Sequence, residues 1–175
     1  MRSIFLVFCV LVVLCRPISA NDTAATGDKL RFSISPFEAR YCANTPIELR
    51  LTFENTTDAD VLYVDPRACE SCLSFNIKNS RHEPLQPKHV GDVIYQIYDA
   101  HLKLARFKPH GKIEFQRDIT VQYFGQYKYT IDNEGLYHIS ANFYPHFRLV
   151  TKDGKEAYRK ELHSPELAIT VSNCK

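Results

Sequence analysis

Two cysteines spaced as Cys69-Glu70-Ser71-Cys72 are the residues whose type and spacing most directly invite chemistry. A working dithiol needs its first cysteine at the N-terminus of an amphipathic helix that follows a strand, where the helix dipole lowers the thiol pKa. Here the motif follows Asp65-Pro66-Arg67 and precedes the alternating run Leu73–Lys78, which reads as a strand. Arg67 would favour a thiolate and Glu70 would oppose it. The spacing therefore points to a structural loop bridge, with a small thiol oxidoreductase as the enzymatic alternative. Zinc bound through four cysteines lacks a second CxxC to support it.

The remaining candidates for chemistry are dispersed. His82, His89, His101, His110, His138, His146 and His163 show no pairing at strand or helix spacing, so they read as surface and loop residues, and no metal is assigned. Ser74, Ser80, Ser140 and Ser164 lie outside any Gly-x-Ser-x-Gly elbow. No catalytic residue and no cofactor is expected, and the chain reads as a non-enzyme.

Such residues need elements to hold them, and the first element is one to remove. Met1-Arg2 followed by the apolar run Ile4–Leu14, the break at Arg16-Pro17 and the small residues Ile18-Ser19-Ala20 read as a signal peptide over residues 1–20. The run is about half the roughly 20 residues of a membrane-spanning helix, so no membrane span is expected. The Asn173-Cys174-Lys175 end does not read as a lipid-anchor signal. Residues 21–28 read as a flexible tail, and 29–175 as a single domain.

Taking Arg2 and Arg16 away lowers the 22 basic residues to 20, against 20 acidic ones, and the mature chain is formally neutral. That balance argues against nucleic acid or an anionic membrane as partner. Cys9 and Cys15 leave with the leader, and Cys42, Cys69, Cys72 and Cys174 remain for disulfides in an oxidising compartment. Of three pairings, Cys69–Cys72 and Cys42–Cys174 are favoured, the second as a clasp between first and last strands. Sequons at Asn21-Asp22-Thr23 and Asn55-Thr56-Thr57 predict N-glycosylation in a secreted, extracellular protein.

Apolar residues then recur with period two. Ile47, Leu49, Leu51 and Phe53 alternate with polar residues up to a turn at Asn55–Asp60. Leu73, Phe75 and Ile77 form a second row, Val93, Tyr95 and Ile97 a third, and Leu102, Leu104 and Phe107 a fourth. Ile113, Phe115, Ile119 and Val121 follow, with a break near Arg117 that reads as a bulge. Tyr137, Ile139, Ala141 and Phe143 precede a closing row at Leu167, Ile169 and Val171, and Lys152-Asp153-Gly154-Lys155 signals a hairpin. Short strands at this spacing predict an all-β, immunoglobulin-like, two-sheet antiparallel sandwich. Gly135 and Tyr137 match the corner that opens the sixth strand of such domains, with the tyrosine bonding back across the turn. Ile139 stands where an antibody-type domain has its inter-sheet cysteine, and the chain has no Trp.

With the strands placed, the chain resembles a known module. Ile47–Asn55, Val64-Asp65-Pro66-Arg67 and Phe75-Asn76-Ile77 are similar to the β-sandwich pro-region of deuterolysin and peptidyl-Lys metalloendopeptidases. Phe107-Lys108-Pro109-His110-Gly111 resembles its Leu-x-Pro-Gly turn. Arg117-Asp118-Ile119-Thr120 followed by Tyr123 resembles its Asp-Leu-Ser-x-x-Tyr element, and Gly135-Leu136-Tyr137 its Gly-x-Tyr strand. The likeness spans Thr45 to Phe147. The family's zinc-binding His-Glu-x-x-His helix has no counterpart here, so the resemblance implies a free-standing, non-catalytic module with a protease-facing role.

Tyr123, Phe124 and Tyr127, within an aromatic cluster that also holds Tyr129, Phe143, Tyr144 and Phe147, form the best candidate binding surface. Tyrosine offers a contact apolar area and a hydroxyl together. Pro84 and Leu85, in the loop Glu83–Lys88, supply a second recognition edge. The expected function is a secreted protein-binding module, with a protease-directed regulator or inhibitor as its sharper form. A structural or small-ligand carrier is the alternative.

Overall fold

In a computed structural model, residues 28–89, 103–122, 127–145, 151 and 154–174 are described. The alternation read from sequence becomes two principal sheets that pack as an all-β sandwich. In the first, β3 (Glu48–Asn55) lies between β1 (Leu30–Pro36) and β8 (Lys112–Asp118), antiparallel to both. Leu49, Leu51 and Phe53 are fully buried, because every second side chain of a strand faces the same side. Their partners across the ladder are Pro36, Ile34 and Phe32 on one side and Arg117, Phe115 and Ile113 on the other.

The second sheet is built on β11 (Gly135–Phe143). One edge of β11 pairs with β5 (Leu73–Lys78); the other pairs first with β13 (Leu167–Ser172) and then with β12 (Leu162–His163). A short strand, β2 (Tyr41–Cys42), adds to β13 in parallel. Tyr137, Ile139, Ala141 and Phe143 point inward, and the Phe143 ring meets Phe53 of the first sheet edge-on at 5.1 Å. Phe32 stacks on the same Phe53 at 4.4 Å, so one ring joins the two inner faces.

Two small sheets flank this core: β4 (Val61–Val64) with β7 (Leu104–Phe107), and β10 (Tyr127–Lys128) between β6 (Lys88–His89) and β9 (Val121–Gln122). Tyr63 of β4 reaches Phe143 at 5.7 Å and donates its hydroxyl to the Lys160 carbonyl at 2.9 Å. Burial pushes that phenol's pKa upward.

Several sequence expectations need correction. No bulge interrupts β8 near Arg117; its register against β3 runs unbroken to Asp118 opposite Glu48. The period breaks because the strand ends there. The Asp118 carboxylate accepts the N–H and hydroxyl of Thr120 at 2.8 and 2.6 Å, and the turn carries Ile119 into the core. Arg117 continues the inward row, with its guanidinium 5.6 Å from the Phe115 ring centroid. In β7 the inward residues are Ala105 and Phe107 rather than Leu104, because Phe107 pairs with buried Val61 and Ala105 with buried Tyr63. Asp28, assigned to the loose tail, is tied to the domain by Lys160 on its carboxylate and by the Thr56 hydroxyl on its carbonyl at 2.7 Å. The row at Val93–Ile97, Leu102, and residues 1–27 lie outside the described residues. At the expected hairpin, Gly154 has φ +82° and donates its N–H to the Thr151 carbonyl at 2.9 Å; Lys152 and Asp153 lie outside the described residues.

Candidate functional site

The CxxC segment forms a single 3-10 turn, Glu70–Cys72, that leads straight into β5. Cys69 and Cys72 are joined as a disulfide with Cα atoms 5.3 Å apart, and both are buried. Arg67 is committed to Asp65: Nε and Nη2 donate to the two carboxylate oxygens at 2.9 and 2.8 Å, and the Arg67 N–H adds a third bond at 3.0 Å. That guanidinium holds the Asp65 carboxyl below the ordinary range, and Asp65 in turn raises the Arg67 pKa. A reactive thiol pair is partly exposed and sits in an electropositive setting. This pair is buried, and its nearest basic side chain in sequence is neutralised by a carboxylate. The arrangement is that of a structural loop bridge.

The second disulfide joins Cys42 to Cys174, with Cα atoms 5.4 Å apart and a sequence separation of 132. It fastens β2 to the segment leaving β13, beside the parallel pairing of Cys42 with Ser172.

The turn after β3 holds one of the residues expected to carry a glycan. Asn55 is completely buried. Its amide Nδ2 donates to the carbonyls of Ala59, Lys108 and Phe107 at 2.7, 2.9 and 3.2 Å, and its Oδ1 accepts the N–H and hydroxyl of Thr57 at 3.0 and 2.8 Å. N-glycosylation attaches the glycan through this same nitrogen, which has no outlet to solvent in this fold. The Asn-x-Thr pattern at Asn55 is an Asx turn that locks the end of β3. Asn21 lies outside the described residues.

The recognition candidates divide. Leu85 is half-buried against the core, with its N–H on the Ile77 carbonyl at 2.8 Å, so it belongs to packing rather than to an open edge. Pro84 is exposed. Tyr129 and Phe143 are core residues, the Tyr129 hydroxyl donating to the Phe75 carbonyl at 3.1 Å, whereas Tyr144 is 47% exposed. Tyr123, Phe124 and Phe147 lie outside the described residues, as does the side chain of Tyr127. The backbone of Tyr127 pairs with His89 on one side and Gln122 on the other. The described ends of the two segments, Lys88-His89 after the proline-bearing loop and Gln122 and Tyr127 either side of the aromatic segment, thus belong to one small sheet.

A cleft of about 220 Å3 opens between Asn44–Pro46, Asp118–Thr120 and Lys128–Ile131. Its polar atoms serve the local backbone, since Thr45 donates to the Cys42 carbonyl at 2.7 Å and Asp118 is taken by Thr120. Ser164 is likewise structural: its hydroxyl accepts the Ala141 N–H at 2.8 Å and donates to the Pro165 carbonyl at 3.0 Å.

One constellation escaped the sequence. His82, His138 and Glu166 bring ligand atoms within 4.8 Å of one another. The two imidazole rings lie 4.2 Å apart, and Nδ1 of His138 is 3.0 Å from Oε1 of Glu166. Three segments supply them, namely the turn after β5, the middle of β11 and the residue before β13, and no linear spacing encodes their meeting. The only signal was the outward phase of His138 between inward Tyr137 and Ile139.

No family model matches the chain, and no curated protein matches it. The likeness to the metalloendopeptidase pro-region therefore rests on the short motifs quoted for it.

Proposed function

We propose that this is a secreted, non-catalytic binding module that recognises another extracellular protein. The observation that carries this reading is the small sheet β6–β10–β9, in which Tyr127 pairs with both His89 and Gln122. Its strands begin at Lys88, where the described Glu83–Lys88 loop ends, and include Gln122 and Tyr127, which bound in sequence the segment carrying Tyr123 and Phe124. Loops held by a rigid sandwich are where binding residues concentrate. The two disulfides suit an oxidising compartment, and the buried Cys69–Cys72 bridge disfavours a thiol oxidoreductase.

Two features support an immunoglobulin-like classification. The Tyr137 hydroxyl donates to the Asn133 carbonyl at 2.9 Å across a turn where Gly135 has φ +152°. The first strand continues into β2, which crosses to run parallel with the last strand. The resemblance to a protease pro-region favours a protease as the partner.

The test is a pull-down from the protein's native extracellular fluid with wild type and a Tyr123→Ala/Phe124→Ala variant of equal melting temperature. We expect a specific protein that the variant fails to retain, and a metalloprotease would establish the regulatory form. Identical captures by both proteins would remove the aromatic loop from recognition. Capture of nothing specific would overturn the binding reading.

A further inference from the structure

We propose that His82, His138 and Glu166 form a binding site for a divalent transition-metal ion of the zinc type on the outer face of the second sheet. The sheet register builds most of it. In β11, Tyr137 and Ile139 face the core, so His138 between them faces outward. Its cross-strand partners are Lys78 on β5 and Ala168 on β13. Glu166, two residues before Ala168, returns to the same face and reaches His138 at 3.0 Å.

The third donor is set by a turn. Asn79 accepts the N–H groups of Arg81 and Glu83 on its side-chain oxygen at 2.9 and 3.0 Å, and donates its amide to the Glu83 carboxylate at 2.7 Å. The His82 N–H bonds to the Asn79 carbonyl at 2.9 Å. Held so, His82 takes φ +60°, a conformation that side-chain-bearing residues seldom adopt, and its ring is laid over that of His138.

Two imidazoles and one carboxylate make a nitrogen-rich donor set that suits zinc or copper rather than calcium or magnesium. A tetrahedral ion with bonds of about 2.0–2.1 Å needs donors about 3.3 Å apart. The present 4.8 Å spread closes to that by rotating side chains at the surface, since His82 and Glu166 are exposed. Lys78 lies 3.4 Å from the other carboxylate oxygen, Oε2, which leaves Oε1 to the ion or to orienting His138. Three protein donors leave a fourth position for water or for a donor from a bound partner. The site would bind β5, β11 and β13 together at one point.

Zinc chloride titrated into the folded protein against a chromophoric chelator tests this. We expect one Zn2+ per chain, with His82→Gln and Glu166→Gln each weakening binding at least about tenfold. Zinc should raise the melting temperature of the wild type and not of His82→Gln, while the two proteins melt alike in EDTA. His110→Gln, whose imidazole pairs with Asp58 elsewhere, should bind zinc as the wild type does. Equal affinity in His82→Gln and wild type, or loss of binding in His110→Gln instead, would overturn the site. So would the absence of any wild-type binding at about 100 µM zinc, far above the affinities of built zinc sites.

Discussion

The side-chain amide of Asn55 donates to the backbone carbonyl of Lys108 at 2.9 Å, joining the end of β3 to the turn between β7 and β8 across 53 residues of sequence. Removing the amide leaves the Ala59 carbonyl with the Thr57 hydroxyl and the Lys108 carbonyl with the Gly111 N–H, but takes the Asn55 donor from all three carbonyls and opens a buried polar site, at a cost of about 1–3 kcal/mol. Asn55→Ala should therefore lower unfolding free energy by about 2 kcal/mol in urea. Asn55→Asp should lose more, because it turns a carboxylate oxygen toward three carbonyls. Glycopeptide mass spectrometry of the folded protein should find Asn55 unmodified. Glycan at that position would contradict the bonding described.

Phe53 and Phe143 provide the test of the sandwich itself. Each is fully buried, and they meet between the sheets. Phe143→Ala should cost about 3–5 kcal/mol, the usual range for a buried aromatic ring truncated to Ala. Phe37→Ala, at a ring 38% exposed, should change stability by no more than about 0.5 kcal/mol. Equal losses at the two sites would argue against an inter-sheet core.

The two disulfides close loops of very different length, 132 and 3 residues in sequence separation. On the chain-entropy argument the long clasp restrains the unfolded chain by about 5 kcal/mol and the short bridge by about 2 kcal/mol. Cys42→Ser/Cys174→Ser should thus destabilise more than Cys69→Ser/Cys72→Ser, as measured by denaturant midpoint. The reverse order would mean that the short bridge acts through packing of the buried Cys69 and Cys72.

Local rules carried the reading of the chain where one strand faces one core. Ile47–Phe53 and Tyr137–Phe143 show a clean period of two, and all eight inward residues are buried. The same rules failed where a single residue answers to distant groups. Asn55 has the turn-forming sequence of a surface sequon, yet three carbonyls from two other segments enclose it. Leu104 loses the inward position to Ala105 because Tyr63 fills the space opposite. The histidine cluster is the extreme case, since His82, His138 and Glu166 become neighbours only after three strands find their register.

Acid should expose the two carboxylates that the fold holds ionised. Asp65 is kept below the ordinary range chiefly by its hydrogen bonds from Arg67, and Glu54 chiefly by its hydrogen bond from Arg31, with Lys112 adding to it. Each folded-state pKa lies under its unfolded value, so the stability these groups contribute is complete only above both unfolded values, from about pH 5 upward. It is lost as pH falls through the depressed folded-state values. Arg67 is 57% exposed, so solvent screening keeps the Asp65 contribution within about 1 kcal/mol. Urea unfolding followed from pH 6 to pH 2 should therefore show a shallower acid limb in Asp65→Asn and Glu54→Gln than in the wild type, with the wild type and variants converging at the lowest pH. Parallel curves for variant and wild type would mean that neither carboxylate changes its proton affinity on folding.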